Sequence, residues 1–456
     1  MTGRCSKNIA ADSLTGMIFA AEGIKNSIVL LNGPMGCKFY HSTTSRFLTV
    51  RPAAYITGED GEKMPVDYNF LNNYFFRQER VPCTYLDGYD YVFGTAQKVT
   101  EALLYLKENL EFDLITIINS PGASLIGDSL EELAKDVLPE KPCVILESPG
   151  FSESFDSGYE SAALEILKQI KLNRKDKKCR CANGNDPSRD SAERSVNILG
   201  LSIWDRYNEG DKEELERLLK LCGIRVNCFL CSGLSLDEIR NIPRADLNIV
   251  INSRFGNLCA EYLKKEYKME SLICTALPVG FEETEKLFKD ICERLGKDAG
   301  PVLEESEKKR ALSWYKINDI YQMCGKPDGT LFALEGSASQ VLGYSRFFMG
   351  YLGMTAETLA VTGEISNAQA ALYDELLKKY AAQYAAKKNI LDTKAELIFS
   401  DANTISSLSL TGRPFCGIEI SNPGMGYTDI IPKTHLGING ALFLIEQVIN
   451  GLMSRL

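Results

Sequence analysis

The sequence predicts an α/β protein built from three doubly wound units with mainly parallel sheets. Three observations carry this reading. Short aliphatic runs alternate with longer amphipathic segments from end to end. Nearly every run closes on Gly, Pro, Asn, Ser or Asp. Two breaks in the alternation divide the 456 residues into three parts alike in kind. A parallel strand buried on both faces reads as a short unbroken apolar run, because helices cover both sides of its sheet. Alternating strand and helix patterns are the mark of crossover units.

In the first part the predicted strands are SIVLLNG (27–33), DYVFG (90–94), DLITIINS (113–120) and PCVILESPG (142–150), with helical patterns in AQKVTEALLYLKENL and SLEELAKDVL. The charged, aperiodic stretch KLNRKDKKCRCANGNDPSRDSAERS (171–195) reads as a linker. The second part predicts strands at VNILGLSI (196–203), GIRVNCFL (223–230), DLNIVIN (246–252) and SLICTALPVG (271–280), with helices in EELERLLKLC, LCAEYLKKEYKM and TEKLFKDICERLG. A second break falls near RLGKDAGPVLEE (294–305) and is followed by a long helical pattern, EESEKKRALSWYKINDIYQMC. The third part predicts strands at TLFALEG (330–336), AETLAVTG (356–363), AELIFSD (395–401) and FCGIEIS (415–421). The expected domains are therefore 1–175, 176–298 and 299–456.

Composition narrows the function. Hydrophobic residues make up 45% and charged residues 25%, as in ordinary globular proteins, and the chain is long enough to bury a core without disulfide staples. A net charge of −10 argues against a nucleic-acid binder, which needs a basic footprint. No apolar run reaches the roughly 18–20 residues that span a bilayer. The start, MTGRCSKNIAADS, lacks the basic-then-apolar plan of a secretory leader, so a cytoplasmic location away from membranes is expected. In that compartment the 14 cysteines are thiols or metal ligands rather than disulfides. The two histidines, His41 and His435, leave little room for a His-rich metal site. No GxGxxG or GxxxxGK[ST] pattern follows a strand, so nothing points to a dinucleotide or P-loop site.

The chemistry-bearing residues are cysteines. Cys37 lies in LLNGPMGCKFYHS (30–42), just past a predicted strand. The glycines there permit a tight turn whose N–H groups face a cluster sulfide; the competing reading is a buried core thiol. Cys5 sits in a polar segment, and Cys83 in a Pro-preceded extended stretch. Cys179-x-Cys181 with Cys228-x-x-Cys231 forms either a four-thiolate metal site or two unrelated pairs, the second within an apolar strand. Cys143, Cys222, Cys259, Cys274, Cys292 and Cys324 lie in apolar patterns and read as core, while Cys416 stays undecided. Glu153, Asp156, Tyr159 and Arg254 are either cleft groups able to donate a proton or ordinary residues at helix starts.

Several stretches, in order, resemble the nitrogenase component 1 family: GPMGC, DGYDYVFGTAQKVTEAL, LITIINSPGASLIGDSLEELA, ILESPGFSESFDSGYESA, IPRADLNIVIN, LEGSASQVLGYSRFFMGYLGM and HLGINGALFLIEQVIN. That family includes MoFe-type subunits, cofactor-assembly scaffolds, the dark-operative protochlorophyllide and chlorophyllide reductases, and a tetrapyrrole reductive cyclase. The resemblance implies three Rossmann-like domains. It also implies pairing with a homologous component 1 subunit or with itself, an iron–sulfur cluster of the [4Fe–4S] type or larger at that interface, and electrons from an ATP-dependent iron protein. Carried over, Cys37 matches the second cluster cysteine and Cys5 the first. The third position falls at or beside Pro121, where no cysteine stands, and Cys83 is its substitute.

Departures from the family pattern bear on the large cofactor of dinitrogenase. Asn252 stands where a ligating cysteine would, Tyr159 where a helix histidine would, and Leu436 where the cofactor histidine precedes Gly-x-x-Gly, with His435 one residue early. The resemblance therefore implies a reductase component that does not reduce dinitrogen, with a cofactor-assembly scaffold and a redox-inert subunit as the alternatives. Whether a second metallocofactor exists stays open.

Overall fold

The computed structural model describes residues 11–38, 55–57, 63–65, 81–148, 153–173, 194–421 and 431–454. Among them lie three parallel sheets, within residues 27–147, 194–273 and 331–421. The linker stretch falls almost wholly outside the described residues.

The first sheet has the order β1-β4-β5, with β1 Ser27–Asn32, β4 Leu114–Asn119 and β5 Cys143–Glu147. A separate antiparallel pair, β2 (Tyr55–Thr57) and β3 (Lys63–Pro65), lies between β1 and β4 in sequence. Every residue of β1 and β4 is buried, which is why they read as unbroken apolar runs. Ile28, Leu30, Ile115 and Ile117 point to one layer, where α3 (Ala96–Asn109) and α5 (Leu130–Val137) cover them. Val29, Leu31, Leu114 and Ile118 point to the other, beneath α1 (Ser13–Glu22) and α6 (Phe155–Gln169). On α3 the buried residues Val99, Leu103 and Leu106 recur at helical spacing.

One predicted strand is a helix. DYVFG forms α2, Asp90–Phe93, and a second short helix, α4 (Pro121–Ser124), follows β4. The Asp87 carboxylate accepts the N–H of Tyr89 at 2.8 Å, and the Asp90 carboxylate accepts the N–H of Asp87 at 2.7 Å. These local bonds wind the DGYD segment into a turn rather than a ladder. Its apolar residues are exposed, Val92 by 73% and Phe93 by 70%. A short apolar run carries no periodicity that separates helix from strand. Each of the other eleven predicted runs holds a strand.

The second sheet has the order β7-β6-β8-β9: β6 Arg194–Leu199, β7 Ile224–Phe229, β8 Leu247–Val250 and β9 Ser271–Ile273. Its helices are α7 (Asn208–Leu221), α8 (Leu236–Arg240), α9 (Ser253–Tyr267) and α10 (Gly280–Leu295). The third sheet has the order β11-β10-β12-β13: β10 Leu331–Gly336, β11 Thr355–Val361, β12 Leu397–Asp401 and β13 Cys416–Ser421. Its helices are α11 (Gly300–Cys324), α12 (Ala338–Gly350), α13 (Asn367–Lys379), α14 (Ala402–Ser409) and α15 (Gly437–Met453). In both sheets the first strand sits inside, with its successor on one side and later strands on the other. That reversal opens a crevice beyond the carboxyl ends of the strands.

The units are welded together. A single apolar core joins the second and third sheets, and a second core joins the first and second. The C-terminal helix α15 packs on α10, α7 and α11. Its first turn is held by Glu214 of α7, which accepts the N–H groups of Ile438 and Asn439 at 3.0 Å and the Asn439 amide at 2.7 Å. Those N–H groups belong to the orphan donors of a helix start. Glu214→Ala strands them and removes a partner of Arg217, so an unfolding midpoint in urea should fall by the equivalent of about 2–4 kcal/mol.

Candidate functional site

β1 delivers its carboxyl end to a tight turn. Beyond Asn32 the chain passes Gly33 and Pro34 into a single 3-10 turn, Met35–Lys38, that carries Cys37. A Cβ on Gly33 would sit 2.7 Å from the Ser120 side chain, so only glycine lets the two loops approach this closely. The segment 81–86, extended up to a left-handed turn at Tyr85, runs beside the end of β1. Leu31 donates to the Pro82 carbonyl at 2.9 Å, Thr84 to the Leu31 carbonyl at 3.0 Å, and Leu86 to the Gly33 carbonyl at 3.3 Å. This edge pairing places Cys83 beside Leu31.

Cys37 and Cys83 therefore come to the same end of the first sheet and the same core cluster, Cys83 buried and Cys37 half-buried. Burial raises the Cys37 thiol above its ordinary value, and the charges of Asp12 and Cys83 raise it further. A thiol held protonated by burial and nearby negative charge suits a positive partner, such as the iron of a cluster, which would favour its thiolate. Cys5 lies outside the described residues, as do Cys179 and Cys181. Pro121 opens α4 behind its Ser120 cap and contributes no ligand. Among the described residues no three His, Cys, Asp or Glu side chains are grouped to hold a metal ion. The two described thiols would fit part of a cluster's donor set, which needs further ligands.

A polar row, missed from the sequence, supports the turn. Asn32, Asn119 and Glu147 are register partners at the ends of the three strands. Asn32 donates to Asn119 at 2.9 Å and to Thr95 at 3.1 Å, while Asn119 donates to Glu147 at 2.8 Å. The Thr84 hydroxyl donates to the side-chain carbonyl oxygen of Asn32 at 2.9 Å and accepts the Gly33 N–H at 3.1 Å. The turn before Cys37 is thereby bound to the segment that carries Cys83. The available signal was that the three strand runs end in N, N and E.

The stretch after Cys83 and the end of α4, which meet where Gly122 lies against Tyr91, carry exposed apolar side chains. Tyr85, Tyr89, Val92, Phe93 and Leu125 all face solvent, Leu125 by 88%. Tyr89 and Phe93 lie against each other with their rings tilted by 33° and centres 4.4 Å apart, and Lys98 ties Asp87 and Asp90 at the base of α2.

The other candidates have structural partners. Tyr159 is buried in the core and donates to the Cys231 carbonyl at 3.2 Å. Asp156 pairs with Arg254 across α6 and α9, while Glu153 stays exposed and accepts from Ser157. Asn252 caps α9, accepting the Arg254 N–H at 3.1 Å, and Leu436 is buried at the start of α15. Cys228 donates to Asn197 at 3.3 Å, and burial pushes the Cys231 thiol up to about 12, so both behave as core thiols. Of the cysteines expected in the core, Cys222, Cys259 and Cys292 are buried, whereas Cys143, Cys274 and Cys324 are half-buried.

His435 is fully buried between the second and third units. Its Nδ1 meets the Tyr344 hydroxyl, its Nε2 has no hydrogen-bond partner, and burial holds the ring well below its usual value, hence neutral. Asp211 accepts from Thr434 at 2.7 Å and from the His435 N–H at 2.8 Å. Burial nonetheless pushes the Asp211 carboxyl up to about 7, with Asp205 adding to the shift. The native state then holds a proton that the unfolded chain releases near pH 4. The resulting stability is complete below that pH and is lost as pH rises through about 7. Compared with Asp211→Asn, the wild type should lose on the order of 2–4 kcal/mol between about pH 5 and 8 in chemical denaturation. Parallel pH profiles for the two proteins would contradict this.

A family model described as nitrogenase component 1 type oxidoreductase matches residues 13–453. The chain is 27% identical over 337 residues to a light-independent protochlorophyllide reductase subunit from Prochlorococcus marinus (strain MIT 9515), covering 70% of this chain and 62% of that protein. It is 30% identical over 224 residues to the corresponding protein from Staurastrum punctulatum, covering 49% of this chain and 42% of the relative. The matches thus span less than two thirds of these relatives' own length. The solved structure titled "Nitrogenase Cp1 at pH 6.5" superposes with a TM-score of 0.73 at 17% identity, covering 98% of this chain and 92% of the other. At that identity the likeness is one of fold.

Proposed function

The chain belongs to the family of nitrogenase component 1 type oxidoreductases, and from that premise we propose that it is the cluster-bearing component of a nitrogenase-like reductase. Cys37 and Cys83, together with Cys5, hold an iron–sulfur cluster of the [4Fe–4S] type or larger. A homologous component 1 subunit, or a second copy of this chain, completes the ligand set. An ATP-dependent iron protein supplies the electrons, and the substrate is reduced in the cleft between the units. The observation that carries this reading is the meeting of Cys37 and Cys83 on adjacent backbones at the carboxyl end of the first sheet. A cluster bound there supplies one-electron transfer. The chain's own contribution is to fix the two thiols through the Asn32–Thr84 bonds and to offer a partner the exposed apolar side chains that follow Cys83.

That surface gives the reading a second test. Phe93→Asp combined with Leu125→Asp should slow iron-protein-dependent reduction at least tenfold. The EPR signal after dithionite should be unchanged, because neither side chain touches the thiols. Equal rates in the variant and the wild type would remove the patch from the docking surface.

The scaffold reading is favoured by one observation. Asn252, Tyr159 and Leu436, which stand at the positions of large-cofactor ligands, serve as a helix cap and core residues. A chain that lacks those ligands releases a cofactor readily. The experiment is anaerobic purification after co-expression with the neighbouring component 1 subunit and an iron protein. A reductase shows ATP-dependent oxidation and reduction of its cluster. A scaffold instead carries a cluster that transfers to a second protein.

A further inference from the structure

The 25-residue helix α11 is apolar on more than the face it buries. Val302, Ser306, Ser313 and Ile317 mark its inner face, and the helix packs on α15, α10 and α7. Ser313 and the Tyr351 hydroxyl share a hydrogen bond of 2.8 Å, and the Arg310 guanidinium lies over the Phe281 ring at 5.4 Å. Yet Leu312, Trp314, Tyr315, Tyr321 and Met323 are exposed, Tyr315 by 71% and Met323 by 74%. A surface helix needs one apolar stripe, and packing on the core has already used it. Large apolar side chains gathered on the opposite side mark an interaction surface.

The order of residues on that outer side says what fits it. Lys308, Leu312, Tyr315 and Asp319 follow one another at spacings of four, three and four, which keeps them in one line along a helix. At about 3.6 residues per turn the line falls opposite the buried residues, and all four of its members are exposed. It runs charge, apolar, apolar, charge, with opposite signs at its two ends. Lys308 and Asp319 stand equally far from the midpoint between Leu312 and Tyr315. A copy lying antiparallel across a two-fold axis at that midpoint therefore meets the line in register. Leu312 of each copy faces Tyr315 of the other, and Lys308 of each faces Asp319 of the other. A parallel copy would set like charges against each other. Glu305 and Arg310, nearer the core, are already bound to Arg217 at 2.9 Å and to Glu285 at 2.5 Å. Among the described residues Lys308 and Asp319 have no such partner. Trp314 and Tyr321, one heptad apart, stand together on one flank of the line.

We propose that the outer face of α11 is a self-docking surface, on which two copies of this chain pair through antiparallel α11 helices. Leu312 and Tyr315 form the centre of the seam, and a Lys308–Asp319 ion pair closes each end. The apolar centre supplies the attraction, while the charges fix direction and register. The seam uses no residue of the first unit, so it is separate from the pairing proposed around the cluster.

The test is sedimentation velocity of the full-length protein over a range of concentrations. The wild type should show a concentration-dependent association step. Lys308→Glu places two like-charge contacts in the paired form, and so does Asp319→Lys. Each variant should raise the dissociation constant of that step by on the order of tenfold or more. Both positions are exposed, so each variant should keep the circular dichroism and melting temperature of the wild type. In an equimolar mixture of the two variants every reversed charge meets its opposite across a mixed pair. The mixture should therefore regain the wild-type association that neither variant shows alone. A wild type that sediments as one non-associating species overturns the proposal. An association step that both reversals leave unchanged overturns it too, since the contact then lies on another face. A mixture that associates no better than its components overturns the antiparallel register. None of these outcomes bears on the cluster reading, which is read from iron and EPR.

Discussion

In Cys37→Ala, iron and acid-labile sulfide should fall from about four atoms each per cluster to background, and the EPR signal after dithionite should disappear. The measurement uses anaerobic protein co-expressed with its neighbouring subunit and cluster-assembly machinery. The comparison is informative because the two readings of Cys37 predict different balances of metal and stability. As a core plug, the thiol contributes only the burial of one half-covered sulfur, so its loss costs about 1 kcal/mol and changes no metal content. As a ligand, its loss leaves a cluster with an open iron, in a site where Cys83 is the one described thiol that remains. The cluster is then lost whatever happens to the fold. Cys83→Ala should give the same loss of iron with a larger stability cost, since Cys83 is only 6% exposed. A wild type that holds no iron under these conditions, with a folded Cys37→Ala variant to match, reduces the two thiols to packing.

How far the site was legible follows from how each part is held. The strands were readable because burial on both faces leaves nothing but apolar residues between loop signals. β1, β4, β8 and β12 are buried almost throughout. DYVFG failed because the hydrogen bonds of Asp87 and Asp90 decide its winding, and its apolar residues serve the surface rather than the core. The meeting of Cys37 and Cys83 had no spacing rule behind it. It depends on segment 81–86 pairing with the end of β1 through backbone bonds, which carry no side-chain signature. Tyr159 looked like an ordinary position near a helix start, yet the close approach of α1 turns it into the core. The family resemblance, by contrast, was carried by turn glycines and strand ends. Those are features of local backbone geometry that a single sequence displays.

Gly158→Ala should be among the most destabilising single substitutions of the first unit, at about 3 kcal/mol or more, and Gly158→Leu should fail to fold. α1 and α6 cross with their backbones in contact. A Cβ on Gly158 would lie 2.0 Å from the Ser13 carbonyl oxygen, and one on Gly16 would lie 2.0 Å from that of Phe155. Neither obstacle is a flexible side chain that could swing away, so the helices themselves must separate. All of α1 is buried, and Phe19 packs edge-on against Trp204 of the second unit at 4.8 Å. Separation therefore opens a core that is close-packed on every side. The damage also reaches the candidate site. α1 begins at its cap Asp12, whose backbone forms a β-bridge with Ser154 ahead of α6 and whose carboxylate accepts the Thr15 N–H at 2.9 Å and raises the neighbouring Cys37 thiol. Moving α1 thus changes the surroundings of Cys37 without touching it. Gly88→Ala is the control, because nothing lies within 4 Å of the added Cβ, and it should stay within about 0.5 kcal/mol of wild type. In urea denaturation Gly158→Ala should unfold well before both. In native protein its Cys37 should react with an alkylating agent at a different rate from the Gly88→Ala protein. A Gly158→Ala protein as stable as the control would mean that the two helices do not cross this closely, and α1 would lose its role in setting the environment of Cys37.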